Sequence, residues 1–278
     1  MNMYTVVGYP TPGKAKAKRL LDAFCAGIPG AVVAKSIPPT LPANVIPAFY
    51  GVVPETIHLW YQAKREGRDW YYIDNAYFDP CREVYFRITK NRLQHDGAMD
   101  ETDGKRWEAL GLSIAPWQPQ GEHIVVCPAS DQFMRLAAGY TGDWKSDILA
   151  QLRQHTRRPL RFRPWMANKG LAFKTLPDDL RGAFCLVTYT SAAAITALRA
   201  GIPVLVTAED CISRPMAQTD VAKVEQLVYP EYRERWAMVV ADNQWTESEM
   251  RDGLPWAHMQ APLRLLEERR KLVKREVA

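Results

Sequence analysis

The segment Phe184–Thr207 combines residue types that suit the binding of a phosphate group. It reads FCLVTYTSAAAITALRAGIPVLVT, which predicts an apolar strand, the pair Thr190 and Ser191, an alanine-rich helix and a second strand. Small residues at such a turn let backbone N–H groups at a helix N-terminus approach an anion, and the helix dipole favours negative charge there. The same pattern also fits a generic βαβ unit in which Thr190 and Ser191 only cap the helix.

Basic side chains precede this segment in the stretch RPLRFRP. Arg161 and Arg163 alternate there, so a strand would direct both to one face. An arginine pair at the mouth of a strand suits bidentate contact with a diphosphate, and its charge would stabilise that group as it leaves. A solvent-exposed strand face is the alternative interpretation. Lys174 lies ahead of the next predicted helix and would add a further positive charge.

A carboxylate ends the buried stretch Trp70–Asp74, which reads WYYID. In open α/β sheets ligands bind beyond the carboxyl ends of the strands, so Asp74 is the candidate catalytic residue. Its role would be that of a general base, which takes the proton from an attacking hydroxyl. The alternative is that Asp74 only caps the turn that follows. Glu55 and His58 in the preceding helix are weaker candidates, and each also fits a cap or a surface residue.

The elements that must position these residues alternate between strand and helix, which indicates an α/β fold with parallel sheets. The predicted strands are Tyr4–Gly8, Ala31–Ala34, Val45–Val53, Trp70–Asp74, His123–Pro128, Leu160–Pro164, Phe184–Thr188 and Pro203–Thr207. The predicted helices are Lys14–Ala26, Glu55–Glu66, Arg106–Leu110, Asp143–His155, Pro177–Gly182, Ser191–Arg199 and Pro262–Val277.

The periodicity is lost between Lys90 and Glu122, which suggests a boundary between two α/β halves. We therefore predict an N-terminal domain over 1–120, a C-terminal domain over 121–260 and a charged helix over 261–278. Two capping signals fall in the second half: Asp178-Asp179 at one helix start, and Thr246 with Glu249 at another. Trp245 and Trp256 are interpreted as packing anchors.

Composition excludes several classes of protein. The chain has 278 residues, of which 47% are apolar and 24% charged, and this argues against a wholly disordered chain. The net charge of +5 is too small for a dedicated nucleic-acid module, although it would help to hold a diphosphate. Five widely spaced cysteines predict neither a disulfide framework nor a zinc site. The absence of a signal sequence and of a membrane-spanning run predicts a cytoplasmic protein that does not engage a membrane.

Several nucleotide-binding motifs are missing from the sequence. There is no P-loop and no GxGxxG motif, which disfavours a kinase or a nicotinamide-dependent dehydrogenase. No DxD-like metal motif stands out either. Metal-independent chemistry without a bound cofactor is therefore the expectation.

The segment that ends in Ala-Gly-Ile-Pro-Val resembles the donor-binding half of GT-B nucleotide-sugar enzymes. These include capsular polysaccharide glycosyltransferases and related sugar epimerases. Residues 70–78, 85–91 and 243–246 resemble a wider set of phage-associated proteins, whose architecture is similar to that of phage enzymes that attach sugars to hydroxymethylated DNA bases. That resemblance predicts histidine at position 75, where this chain has asparagine. It implies a GT-B-like fold in which two Rossmann-type domains face each other across a cleft.

The resemblance also implies roles for the polar loop over 209–225, since GT-B folds place groups there that hold the donor sugar and phosphates. The residues concerned are Arg214, Met216, Thr219 and Asp220. Thr219 and Asp220 fit equally well as the N-cap of a helix that begins at Val221. Cys211 in the same loop is interpreted as a small buried residue.

Taken together, these features predict a glycosyltransferase. Its second domain would bind a nucleotide sugar, with a UDP-sugar as the expected co-substrate. The preferred acceptor is a 5-hydroxymethylated pyrimidine in double-stranded phage DNA, within an infected bacterial host. Three alternatives stay open: a polysaccharide glycosyltransferase, a nucleotide-sugar epimerase, and a non-catalytic interaction protein on the same fold.

Overall fold

The computed structural model describes residues 4–78, 83–95, 102–164 and 175–260 of the chain. Two compact units divide these residues between them. The first unit takes the described residues up to Asn75, then Glu83–Leu93 and the chain from Trp245 onward. The second unit takes the described residues of Ala76–Arg82 and Gln94–Gln244.

The first unit is built on a six-stranded sheet with the order β2-β1-β3-β4-β5-β11. The first four strands pair in parallel, and β5 runs antiparallel to β4 with Asp74 opposite Arg87. The strands are β1 (Thr5–Gly8), β2 (Val32–Val33), β3 (Val45–Tyr50), β4 (Tyr71–Asn75), β5 (Tyr85–Lys90) and β11 (Gln244–Thr246).

The helices of the first unit bury amphipathic faces against this sheet. Its core joins Leu20, Leu21 and Phe24 of the first helix to Tyr71 and Ile73 of β4. Trp245 and Met250 from the end of the chain complete the same core. The helices are α1 (Ala15–Ala26), α2 (Pro54–Arg65), α9 (Glu247–Arg251) and a last described helix over 254–260.

The second unit is built on a five-stranded parallel sheet with the order β10-β9-β8-β6-β7. Its three middle strands are apolar and almost fully buried, as expected for a parallel sheet that is covered on both faces. The strands are β6 (His123–Cys127), β7 (Leu160–Phe162), β8 (Ala183–Thr188), β9 (Val204–Val206) and β10 (Ala217–Gln218).

Six α-helices belong to the described residues of the second unit. A five-residue helix precedes β8 in sequence, and a seven-residue helix follows it. The six are α3 (Lys105–Leu110), α4 (Asp131–Leu136), α5 (Trp144–His155), α6 (Leu176–Leu180), α7 (Ala193–Arg199) and α8 (Arg233–Asp242). Short 3-10 helices at Arg214–Met216 and Val221–Lys223 flank β10.

The predicted α/β fold class is confirmed: the second sheet is parallel throughout, and four strands of the first sheet are parallel. The predicted helices over 14–26, 55–66 and 143–155 are present within two residues of their predicted ends. Both predicted capping sites are also confirmed: Thr175 and Asp178 form a capping box at α6, and Thr246 and Glu249 form another at α9. Strand β5 and helix α4 were not predicted, and the helix predicted over 262–277 lies outside the described residues.

The units divide the chain differently from the predicted boundaries at 120 and 260. Residues 94–95 and 102–120 belong with the second unit, and residues 245–260 belong with the first. Trp245, 7% exposed, and Trp256 both pack into the core of the first unit, as the packing interpretation requires. Periodicity could not reveal this return, because a sequence pattern carries no information on which sheet a helix packs against.

Candidate functional site

Each sheet has a point at which its strand order reverses direction. In the second unit β7 lies on one side of β6, and β8, β9 and β10 follow on the other side. Ligands of open α/β sheets bind at the carboxyl ends of the strands beside such a switch point. In this unit the position lies beyond Cys127 and Thr188, so the turn that contains Thr190 and Ser191 borders it.

Thr190 is held in this turn by its side-chain hydroxyl and its backbone carbonyl oxygen. Its hydroxyl donates to the carbonyl oxygen of Asp210 at 3.1 Å, and its own carbonyl oxygen accepts from Nε2 of Gln94 at 2.9 Å. Oε1 of Gln94 accepts from the backbone N–H of Ile212 at 3.1 Å. Gln94 is only 4% exposed and thereby ties the loop after β8 to the loop after β9.

Sequence reasoning missed Gln94, because the polar stretch around it carries no motif and was interpreted as part of a boundary. The sequence gives little sign of this role, because a single glutamine after the segment YFRITK is usually a solvent-exposed residue. Its role becomes visible only when the fold brings residues 94, 190 and 212 together.

Ser191 is held by local hydrogen bonds in the turn before α7, whose N-cap position is Ala192. Its hydroxyl accepts from the backbone N–H of Ala193 at 3.3 Å, and its own N–H donates to Oγ1 of Thr188 at 3.2 Å. Arg214 is exposed and donates from Nη1 to the carbonyl oxygen of Ala208 at 3.2 Å, which places its guanidinium at the loop after β9.

Thr219 and Asp220 follow the carboxyl end of β10, at the same edge of the sheet. Both side chains are exposed. Asp220 caps the 3-10 helix at Val221–Lys223 by accepting from the N–H of Ala222 at 3.0 Å, as the capping interpretation predicts. The carboxyl edge of this sheet therefore gathers Thr190, Ser191, Arg214 and Asp220.

The two arginines of the stretch RPLRFRP have different surroundings in the structure. Arg163 is 7% exposed, and its guanidinium forms an ion pair with the carboxylate of Asp179. Arg161 is exposed and lines a depression with His123 and Arg181, which stand at the amino ends of β6 and β8. The contact of the two arginines with a diphosphate stays a prediction, and Arg163 already has a carboxylate partner in α6.

Two other predicted donor ligands do not reach this edge. Met216 is fully buried, so it has no surface to offer a sugar and acts as a core residue. Lys174 lies outside the described residues. Cys211 is 1% exposed and burial raises the pKa of its thiol, in agreement with its interpretation as a small buried residue.

The first unit has its switch point between β1 and β3, since β2 lies on one side of β1 and β3 on the other. A depression of about 390 Å³ opens at the carboxyl ends of these two strands. Thr11, Lys14 and Lys16 line it from the side of β1 and α1, and Tyr50 and Gly51 line it from the side of β3.

Asp74 lies one strand further along the same sheet, and both of its carboxylate oxygens are occupied. Oδ2 accepts from Nη2 of Arg87 and from the hydroxyl of Tyr72, each at 2.7 Å, and Oδ1 accepts from the N–H of Asn75 at 2.8 Å. About one of the roughly four lone-pair positions of the carboxylate is left for a substrate hydroxyl. The buried hydroxyl of Tyr72 has a pKa raised well above its ordinary value, by burial first and then by the charge of Asp74.

Asn75 points to the opposite face of the sheet, since successive side chains of a strand alternate. Its Oδ1 accepts from Nζ of Lys16 at 3.0 Å and from the hydroxyl of Tyr50 at 3.3 Å. Burial raises the pKa of Tyr50, and the charges of Asp74 and Glu83 raise it further. The asparagine at this position therefore fixes two side chains of the depression. Lys16 and Tyr50 carried no motif from which their role could be predicted.

The described residues contain neither a membrane-spanning helix nor a metal-binding cluster. No helix among them has the length and apolar character needed to cross a bilayer. No group of three or more histidine, cysteine, aspartate or glutamate side chains in that part of the chain is arranged to bind a metal ion.

The fold defines an α/β protein with two sheet-based units, and solved structures of the same fold are known. Two are chains of KpsC from Thermosulfurimonas dismutans. The beta Kdo 2,7 transferase is 12% identical with a TM-score of 0.53, and the match covers 91% of this chain and 99% of that one. The beta Kdo 2,4 transferase is also 12% identical with a TM-score of 0.52, covering 88% of this chain and 92% of that one. This similarity is one of fold.

No family model and no curated protein sequence matches this chain.

Proposed function

We propose that this protein is a glycosyltransferase that moves a sugar from a nucleotide donor to a hydroxyl group. The observation that carries the proposal is the carboxyl edge of the second sheet, where Gln94 fixes the loops after β8 and β9 beside the switch point. The structural similarity to two Kdo transferases supports the same class of reaction.

The donor phosphates would bind at the turn formed by residues 189–192, with Arg214 as the nearby positive charge. In the transfer the acceptor oxygen bonds to the anomeric carbon, and the bond from that carbon to the donor phosphate breaks. The phosphate leaves with the electron pair, and Asp74 is the proposed acceptor of the hydroxyl proton. Thr219 and Asp220, at the same edge of the sheet as the turn, are retained as proposed contacts of the donor.

For the acceptor we propose a glycan, because the proteins of similar fold are transferases of the sugar Kdo. The hydroxymethylated DNA base stays a prediction from sequence resemblance, and the experiment below includes it. A UDP-sugar is likewise the first donor to be tested among several.

The test is a thermal-unfolding panel with UDP, GDP, CMP, dTDP and the corresponding sugar nucleotides. A ligand at about 100 times its dissociation constant adds about 2.7 kcal/mol to the free energy of unfolding, so binding is readily seen. We expect one nucleotide to shift the melting temperature selectively. That donor is then incubated with a capsular-type glycan, with hydroxymethylated DNA, and without acceptor. Sugar interconversion without an acceptor would indicate an epimerase.

A matched pair of variants locates the donor. Ala192 lies half-exposed in the turn after β8. Ala192→Glu adds a negative charge where the phosphates would bind, and Ala192→Gln adds a side chain of the same size without the charge. We expect the glutamate variant to lose at least tenfold in nucleotide affinity and the glutamine variant much less. A panel with no selective shift, or equal affinity in both variants, would refute the proposed donor site.

A further inference from the structure

The depression of the first unit differs from its surroundings in its charge. Lys14 and Lys16 line it, and no carboxylate lies within ion-pair distance of either one in the described part of the chain. Lys18 and Asp22, which pair with each other at 2.7 Å, line only the larger depression on the other side of the same loop. The smaller depression therefore carries positive charge that no side chain among the described residues neutralises.

Asn75 preserves that charge on Lys16. The ammonium group donates to a neutral amide oxygen at 3.0 Å, and it also lies 5.1 Å from the centre of the Phe86 ring. Asn75 thus positions Lys16 and leaves its charge in place. An aspartate at position 75 would neutralise that charge. A positioned and uncompensated ammonium group is a suitable partner for an anion.

Unsatisfied hydrogen-bond donors face the same place. Helix α1 has 12 residues, no acidic residue in its first turn and no side-chain cap, so its first N–H groups lack partners within the helix. Thr11 is 6% exposed and lines the depression, and its hydroxyl makes no hydrogen bond within the described residues. A hydroxyl that has no partner within the protein is available to donate to a bound anion.

We infer that this depression binds an anionic group, a phosphate or a carboxylate, carried by the acceptor. Lys16, the hydroxyl of Thr11 and the first N–H groups of α1 hold the anion at the switch point of the first sheet. That the acceptor carries this anion rests on the proposed function, whereas the anion site itself does not.

The test measures how fast Lys16 reacts with a small amine-acetylating ester, by mass spectrometry of the peptide that contains it. Three sugars of similar size serve as probes at constant ionic strength: glucose 6-phosphate, glucuronate and glucose. We expect at least one of the two charged sugars to slow the acetylation of Lys16 at least threefold. Glucose should have no effect. Lys64, in α2 of the same unit, is the internal reference, and its rate should not change.

The two charged probes separate the sources of the anion. Protection by glucose 6-phosphate alone assigns a phosphate-bearing acceptor, protection by glucuronate alone assigns an acidic sugar, and protection by both supports the shared anion chemistry. Equal protection by glucose, or no protection by either charged sugar, would overturn the inference.

Variants place the effect in the depression. Ala15 is exposed at the start of α1 and lines the depression, so Ala15→Glu puts a negative charge there, and Ala15→Gln is its neutral control. We expect protection to be lost in the first variant and kept in the second. Thr11→Val, which preserves side-chain shape, should raise the half-protecting concentration at least threefold. Equal protection in Ala15→Glu and Ala15→Gln would contradict the site.

Failure of this inference differs from failure of the proposed function, because the protection assay needs no donor. Nucleotide binding with an unprotected Lys16 would remove the anion site alone. A flat nucleotide panel with a protected Lys16 would remove the transferase and leave the anion site in place.

Discussion

Asp74 has two tasks that substitution can separate. It pairs with Arg87 directly across the β4–β5 ladder, and it is the proposed base of the transfer. Asp74→Asn removes the charge and the ion pair that Arg87, which is 9% exposed, makes with Asp74. We expect transfer to fall by a factor of about 10²–10⁴. The free energy of unfolding should fall by about 1–3 kcal/mol, measured by urea unfolding.

Arg87→Met is the matched control, since it breaks the same ion pair and keeps the carboxylate. Its loss of stability should be comparable, while transfer at a temperature where the protein is folded should fall much less. Equal losses of transfer in the two variants would show that Asp74 acts only through the ion pair.

Gln94 is a second residue whose contribution can be measured. Gln94→Leu leaves the carbonyl oxygen of Thr190 and the N–H of Ile212 without their partner, and both lie in buried surroundings. Since each of the two unsatisfied groups costs about 1–3 kcal/mol, we expect a loss of about 2–6 kcal/mol in urea unfolding. Hydrogen exchange at the amide of Ile212 should also become faster.

Gln118 provides the comparison for this prediction, because its Nε2 donates to the carbonyl oxygen of Ala200 from an exposed position. Water can replace that contact, so Gln118→Leu should cost less than about 1 kcal/mol. A similar cost for the two variants would mean that Gln94 does not tie the loops together.

At the scale of the element, the end of α7 depends on a close backbone approach. Gly201 has a φ of +80°, and an added Cβ would lie 2.0 Å from the carbonyl oxygen of Pro116. Gly182 has a φ of +73° and open space at the same position. Gly201→Ala should therefore destabilise the protein by more than the roughly 1 kcal/mol expected of Gly182→Ala, measured by thermal unfolding. Equal effects would mean that residues 115–117 move away without cost.

Helices and buried strands could be predicted because their signals are local. The apolar spacing of α1, α2 and α5 and the capping boxes at α6 and α9 follow from neighbouring residues alone. Strand β5 could not be assigned on that basis, since its place depends on antiparallel pairing with β4.

The candidate site shows the same limit. Thr190 and Ser191 could be placed at the strand-to-helix turn from sequence, because the motif and the turn coincide. The surroundings of Arg163 could not be predicted in this way. Alternation along the stretch RPLRFRP predicts its face but not its ion pair with Asp179. Lys16 and Tyr50 are 34 residues apart in sequence, and only the register of β1 with β3 brings them to one depression.

At the scale of the whole molecule, buried thiols make stability depend on pH. Burial raises the pKa of Cys25 to about 11 and that of Cys127 to about 12, while an unfolded thiol ionises near about 8.5. A raised folded pKa means that the native state holds its protons longer than the unfolded state does. The stabilisation is thus complete below about pH 8.5 and is lost as the pH rises toward the folded values.

We therefore expect the free energy of unfolding, measured in urea between pH 7.5 and 10.5, to fall with rising pH. Replacement of both cysteines by alanine should make the decline shallower, whatever it does to the absolute stability. An unchanged slope in the double variant would show that other groups cause the decline.

The chain passes from one unit to the other at residues 75–76, 82–83, 93–94 and 244–245. The five strands of the second sheet are uninterrupted in sequence between His123 and Gln218, whereas the first core needs Trp245 and Met250. During synthesis on the ribosome, all five strands of the second sheet are therefore made before β11, the last strand of the first sheet. The strands of the first unit that precede the second sheet in sequence therefore complete their core only after that sheet has been synthesised.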